Sequence, residues 1–460
     1  MEADRAWAGD AAPGGGASFF GHPRGLAYLA FTEAWERFSF SGMQALLVLY
    51  MVDQLLQPGH IEHVAGFAGF RHLLESIYGP LSPQPLSSVI FGLYTSLVFL
   101  SPVFGGILGD RVFGQHRMVT VGAVLMAAGQ FFMMLEVSFL PALLLLIVGC
   151  GCLKGNISTQ VGSLYADGDR RRTDAFQLFS IGINAGVILA PLICGTLGEL
   201  YGWRYGFAAA GVGMLIGLAV YSAGRRELPQ DRRVARSVER LAAAPLRPRL
   251  LAFLIVVFTL TVCFLVTAGQ LGNVYSLWLK SGVDRRAFGV FVPVTWFQSA
   301  TPIVSALATP LFVALWRRQA QRGTEPSLLT KMGVGLALSA VALAWLAVLT
   351  VGGQHFGAVS WLWVLPVHLL IGIAYLFVYP VGLALFSRTA PPGARAMYIG
   401  IFFLTSFVAG NLVGLLGREY QPHAAVSFWL LHAGIGAAGA VLVVLFGRPL
   451  SRVLSAAPLH

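Results

Sequence analysis

Charge is what this sequence has little of. Of its 460 residues only 31 are Lys or Arg and 20 are Asp or Glu, so charged residues make up 11% of the chain. A soluble globular protein carries about 25%. Hydrophobic residues reach 56% and the mean hydropathy is +0.72. A water-soluble core cannot hide that much apolar surface, which excludes a soluble enzyme. Cysteine is nearly absent too. Cys150, Cys152, Cys194 and Cys263 all lie in apolar runs, and the C-x-C pair suits neither a zinc ribbon nor a redox motif. All four read as packing residues. No nucleotide loop, metal-ligand cluster or catalytic triad is found, so neither an enzyme nor a bound cofactor is expected. The start of the chain shows no basic stretch leading into an apolar one, and no cleavable signal peptide is expected.

What the chain has in quantity is long apolar runs. A membrane-spanning helix needs about 20 mostly apolar residues. Candidates lie near 24–53, 86–109, 118–135, 139–165, 175–199 and 204–223, then near 250–279, 290–316, 331–351, 361–387, 397–417 and 425–447. The expected fold is an all-α integral membrane protein of 12 transmembrane helices in two six-helix bundles, 24–223 and 250–447. Between them runs a basic linker, 224–249, too short for an extra helix pair; tails occupy 1–23 and 448–460. The segment 55–85 reads as a loop with a short interfacial helix through "HVAGFAGFRHLLESIYG".

Arginine sets the expected orientation. The linker holds Arg225, Arg226, Arg232, Arg233, Arg236, Arg240, Arg247 and Arg249, and the loops 110–117, 167–174, 317–322 and 387–395 are also basic. All fall on one side if both termini are cytoplasmic. The +11 net charge is then a topology signal. Nucleic acid is not expected as a partner, because the arginines sit on scattered short loops with no recognition fold around them. A membrane with the basic loops on its cytoplasmic side and a monomeric state are the expected setting.

Within the first apolar run, "FTEAWERFSFSGMQALLVLY" places Glu33, Glu36 and Arg37 at i, i+3 and i+4, on one helical face. Lipid-facing charge costs several kcal/mol, on the order of 3, so that face must turn into the bundle. Lys154, in "GCGCLKGNISTQ" on the fourth run, lies equally deep. Two readings are open. In one, protonation of a glutamate frees a cation to change partners, which is a proton-coupling device. In the other, the four groups are a static network that sets helix packing.

Two six-helix halves joined by a basic linker resemble the major facilitator architecture, in which the halves rock about a site at the bilayer midplane. "GGILGDRVFGQHR" is similar to the facilitator loop signature, which makes Asp110 and Arg111 candidates to brace a gate against neighbouring helix ends. An ordinary basic loop is the alternative. The stretch from Glu33 to Ser39, E-x-x-E-R-F-S, resembles the first-helix signature of proton-dependent oligopeptide transporters, the POT family. "GCLKGNIS" carries the match on through Lys154 and Asn156, and "FQLFSIGINAGVILAPLICG" through Asn184 and Gly186. "VPVTWFQSATP" and "FLTSFVAGNLVG" look like the eighth and eleventh helices. The resemblance implies a bacterial inner membrane as the setting, protons as the coupling ion, small peptides or peptide-like compounds as substrate, and Glu33, Glu36, Arg37 and Lys154 as coupling residues.

The chain departs from the family at the substrate end. Phe40 and Ser41 stand where the family has tyrosines, Gln44 where it has a basic residue, and Phe99 and Ser180 where it has two further tyrosines. Gly269 and Tyr375 replace glutamates of the seventh and tenth helices, the latter of which receives a peptide's ammonium group in the family. His368, two turns before Tyr375, reads as the one ionisable group other than tyrosine deep in the second half. It is either a titrating residue or a neutral, hydrogen-bonded one. Gln270, Asn273 and Trp296 are polar and aromatic candidates for the lining, or else interhelical contacts. The rival to peptide uptake is a carrier or exporter of a molecule not held by its ammonium group. A sensor or scaffold has no supporting feature.

Overall fold

The structure is a computed structural model and describes residues 19–166, 169, 171–229, 248–287, 289–391 and 395–455. The expected linker arginines at 232, 233, 236, 240 and 247 lie outside the described residues, as do most of the expected tails. Twelve helices of 18 residues or more run through the rest. Six belong to the first half: α1 (Arg24–Tyr50), α2 (Pro83–Leu108), α3 (Gln115–Phe132), α4 (Phe139–Ser163), α5 (Arg171–Thr196) and α6 (Trp203–Ala223). Six belong to the second: α7 (Pro248–Gly269), α8 (Trp296–Gln321), α9 (Leu328–Phe356), α10 (Leu365–Thr389), α11 (Arg395–Gly417) and α12 (Ala425–Ser455). Ten of them are long and apolar enough to cross a membrane. Those that fall short are α1, which carries Glu33, Glu36 and Arg37, and α3, which opens on Gln115, His116 and Arg117.

Two expected spans are revised. The run 250–279 breaks after Gly269, and a short helix, Tyr275–Gly282, follows the turn. The break is held by side chains: Gln270 Nε2 and Asn273 Nδ2 both donate to the Val413 carbonyl, at 3.2 and 3.3 Å. The run near 290–316 becomes helical only at Trp296, because Val290–Phe291 pairs antiparallel with Arg286–Ala287 and Pro293 lacks an N–H for a ladder. The interfacial helix forms at Phe67–Tyr78.

In the first half α1 packs on α5 and α6, and α4 on α2 and α3; in the second α9 packs on α10 and α12, and α7 on α10, α11 and α12. Each half has its own buried core, one around Leu29, Leu46, Val119 and Phe207, the other around Phe253, Leu336, Leu343 and Trp429. The halves meet where α2 lies on α11 and α5 on α8. Glycine permits the first contact. A Cβ on Gly92 would stand 2.6 Å from Gly414 Cα and 2.7 Å from the Gly410 carbonyl oxygen. In a membrane, where lipid is as apolar as leucine, such backbone approach supplies the packing that holds helices together.

Candidate functional site

The face of α1 that carries the charges points inward, as its spacing requires. Glu33, Glu36 and Arg37 are all buried. The Arg37 guanidinium forks onto Glu36: its Nε donates to Oε2 and its Nη2 to Oε1, the latter at 2.5 Å. Glu33 Oε1 is 3.5 Å from Arg37 Nε, while Glu33 Oε2 is buried with no hydrogen-bond partner. The Nε–H and the edge it shares with Nη2 are spent on Glu36, so Glu33, whose Oε1 lies 3.5 Å from that same Nε, receives no matched donor. Lys154, from α4, has no carboxylate within ion-pair distance among the described residues. Its Nζ stands over the Phe99 ring, 4.8 Å from the centroid, within the electrostatic reach of Glu33, Glu36 and Arg37. Glu33 and Lys154 are each nine residues from the end of their helix nearest the basic loops, or about 14 Å of helix, close to the middle of a bilayer about 30 Å thick.

Two contributors to this cluster were missed by sequence reading. Cys150 Sγ lies 3.8 Å from Glu36 Oε1, so this thiol is more than packing. Tyr94 of α2 is buried beside Cys150, Glu36 and Arg37. Their approach to the charges of α1 is made across helices, so it cannot be seen along one segment of sequence.

The two halves are joined on the side away from the basic loops. Glu199, at the end of α5, accepts from the backbone N–H groups of Val294 and Thr295 at 2.9 and 2.8 Å and from Thr295 Oγ1 at 2.8 Å. It therefore caps α8 from the opposite half, where the helix dipole favours a carboxylate. Arg285 adds an ion pair to Glu199 at 3.8 Å, and Lys280 Nζ reaches Asp53 Oδ1 at 2.6 Å. Burial pushes the Arg285 pKa below its ordinary value and Glu199 works against that shift. Trp296 Nε1 donates to Thr196 Oγ1 at 2.7 Å, and Ser299 Oγ to the Ile188 carbonyl at 2.7 Å. Beyond Ile188, toward the basic loops, Asn184 and Ser180 are exposed, with Gln177, along one stripe of α5. Tyr375 sits deep in the bundle yet keeps 39% of its surface accessible, its ring 5.5 Å from that of Tyr379 and stacked on it. The seam is thus closed on one side, and the interior is reached from the side of the basic loops.

Several expected substrate contacts are placed differently. Asn156 braces α4 to α2, donating to the Cys152 and Gly105 carbonyls at 2.8 and 3.1 Å. Phe40 is buried beneath Arg37, whose Cζ lies 5.0 Å from the ring centre. Trp296 belongs to the seam, and Gln270 and Asn273 are fully buried in hydrogen bonds. His368 is buried with both nitrogens engaged, Nε2 to the Tyr275 hydroxyl at 2.7 Å and Nδ1 to Thr301 Oγ1 at 2.8 Å. Nor is it the one deep imidazole of its half, because His432 on α12 is wholly buried as well. The polar residues among them share one reason: a donor that faces other helices is spent on their acceptors. Ser41, Gln44 and Phe99 remain partly accessible, like Lys154. Asp110 accepts only a local bond, from Gln115 Nε2 at 3.2 Å, and Arg111 is exposed. The expected brace to neighbouring helix ends is not made among the described residues, since this loop lies on the open side.

Comparison with known proteins agrees with these observations. The sequence model of the POT family matches residues 116–246 and 246–421. The peptide transporter YePEPT of Yersinia enterocolitica is 30% identical, over 88% of this chain and 90% of its own length. A di-/tripeptide transporter of Lactococcus lactis is 26% identical over 95% of this chain and 97% of its own. Among solved structures, a peptide transporter POT mutant in complex with alafosfalin superimposes with a TM-score of 0.81 at 26% identity, covering 95% of this chain and 96% of that one. The fold is that of the major facilitator transporters.

Proposed function

Because the chain belongs to the POT family, we propose that it is a proton-coupled secondary transporter of di- and tripeptides or peptide-like compounds, working by alternating access in the inner membrane with both termini cytoplasmic. The observation that carries this reading is the unequal pairing in the charged cluster. Arg37 is satisfied by Glu36, whereas among the described residues Glu33 Oε2 has no partner and Lys154 no carboxylate within ion-pair distance. A proton on Glu33 Oε2 leaves Lys154 free for an anionic group of the substrate. Loss of that proton leaves a buried carboxylate that must recruit a cation, and Lys154 is the one at hand. The deprotonated Glu33 carboxylate and the anionic group of the substrate then compete for one ammonium, so proton release and substrate release go together, which couples the two flows. On this topology the structure is open inward, and Glu199 holds the outer side shut.

The test is uptake of labelled dialanine into proteoliposomes with and without an inward proton gradient. Accumulation above equilibrium that other dipeptides compete for is the expected result, and a flat trace from well-folded protein would refute it. Lys154→Ala is expected to reduce gradient-driven accumulation to the level of leak while expression and folding persist. Undiminished accumulation in that variant would remove Lys154 from the coupling.

A second reading, a carrier for molecules not held by an ammonium group, is favoured by the wall formed by the second half. A Cβ on Gly269 would lie 2.6 Å from Val413 Cγ2, so a side chain there would have to displace Val413. Tyr375 and Tyr379 present stacked phenols where a counter-charge would be needed. Desolvating an unpaired ammonium costs several kcal/mol, on the order of 3 or more. Tyr375→Glu is therefore expected to tighten dialanine binding at least about tenfold, or 1.4 kcal/mol, as read by competition. An unchanged affinity would show that no ammonium site can be restored at this position.

A further inference from the structure

A polar chain runs from the outer part of α12 to the first half of the molecule, and the charged cluster has no share in it. His432 Nδ1 is 2.8 Å from the Phe428 carbonyl, which places the ring proton on Nδ1 and leaves Nε2 to accept. Nε2 accepts from Gln270 Nε2 at 3.1 Å. Gln270 Oε1 accepts from Asn273 Nδ2 at 3.3 Å, and Asn273 Oδ1 accepts from Ser88 Oγ of α2 at 3.1 Å. Ser88 in turn accepts from Gln84 Nε2 at 3.1 Å, which also donates to the Gly417 carbonyl at 3.1 Å. His432, Gln270 and Asn273 have no surface open to water.

We infer that His432 is a second proton-binding site of the transporter, linked through Gln270 and Asn273 to the seam between the halves. The inference rests on the proton-coupled reading above. A proton added at Nε2 turns that nitrogen from acceptor to donor, facing the amide N–H of Gln270. The conflict is relieved when Gln270 turns its oxygen to the ring. Its amide nitrogen then meets Asn273 Nδ2, and Asn273 must turn as well. Both reversals withdraw donors from the Val413 carbonyl and reverse the Ser88 contact that joins the halves. No bond other than the new N–H is formed. Since the closed seam shields His432 from water, the proton enters or leaves only while the seam is parted, and a bound proton favours the parted state.

Among the titratable groups on the elements around His432, Cys263 of α7 is half-buried, Tyr398 lies at the end of α11 away from Val413, and several others have contacts of their own. Tyr275 and His368 pair with each other, Arg418 pairs with Glu419 at the end of α11, and the Tyr420 ring packs on Phe428. On α9, Lys331 pairs with Glu325 at the far end and His355 bonds the Val351 carbonyl.

The test is the distance between spin labels on the outer faces of the two halves, at Ala68→Cys and Gln421→Cys, in the full chain in liposomes. Cys263→Ser and Glu33→Gln are included to remove a competing thiol and to silence the charged cluster. Between about pH 8 and about pH 5, the range in which an imidazole titrates, the long-distance population is expected to rise several-fold. With His432→Gln it should stay flat, and Asn273→Ala, which keeps the histidine but cuts the chain, should flatten it too. A pH response in His432→Gln equal to that of the parent overturns the inference. If that variant does not fold, an undiminished response in Asn273→Ala overturns it instead. No substrate is present in this measurement, so its failure is separable from failure of the peptide-transport reading.

Discussion

Glu36→Gln is expected to cost the protein both stability and proton-driven transport. The change is isosteric and leaves shape intact, but it removes the carboxylate onto which the Arg37 guanidinium forks. Breaking one side of a buried ion pair costs about 3–5 kcal/mol, because the remaining charge is left uncompensated. Arg37 then has one carboxylate within reach, Glu33, which is 3.5 Å away already. Recruiting Glu33 restores neutrality around Arg37 but removes the group that would otherwise exchange with Lys154. Two losses should therefore appear together: a lower melting temperature in detergent, and proton-driven accumulation reduced at least about tenfold, which corresponds to 1.4 kcal/mol of coupling. Full accumulation with unaltered stability would mean that Arg37 is compensated by something other than Glu36.

The second large effect is expected from Gly92→Val, and it acts on conformation rather than on charge. The atoms that a Cβ would meet at 2.6 and 2.7 Å belong to the backbone of α11, which cannot rotate away as a side chain could. Each half keeps its own core, so the protein should fold, but the seam should no longer close. Overpacking of this kind costs about 1–3 kcal/mol, which is a factor of roughly 5–150 in the ratio of closed to parted seam. The measurement is thiol labelling of Ser96→Cys, a position that is fully buried at the seam. Gly106→Val, on the same helix with open space around it, is the control and should leave labelling unchanged. Equal labelling of both variants would mean that α11 yields to the added side chain.

How much of this was legible depends on the range of the interaction. The helix count, the inward charged face of α1 and the depth of Lys154 follow from apolar run length and from a 3.6-residue period, both local properties of the chain. The break after Gly269 was not legible, because it is held by the Val413 carbonyl of another helix. From the sequence His368 is either a titrating residue or a neutral, hydrogen-bonded one, and Asn156 reads as a substrate contact. In the structure both His368 nitrogens are engaged by residues far away along the chain, and Asn156 Nδ2 donates to the Gly105 carbonyl of another helix while its Oδ1 is buried without a partner. Glu199 gave no signal at all: a single acid at a helix end is unremarkable until the helix of the other half is seen starting beneath it. His432 was passed over for the same reason, since nothing within α12 reveals Gln270 on its other side.

By itself, then, the sequence determined that this chain is a helical membrane protein with two groups of six long helices and that Glu33, Glu36, Arg37 and Lys154 turn inward together, because the cost of charge in lipid leaves no other place for them. The tertiary structure alone decided which of those charges are satisfied, which side of the seam is shut, and which polar residues face the cavity rather than one another. Those outcomes depend on distances of a few ångströms between helices, and no pattern along one helix encodes them.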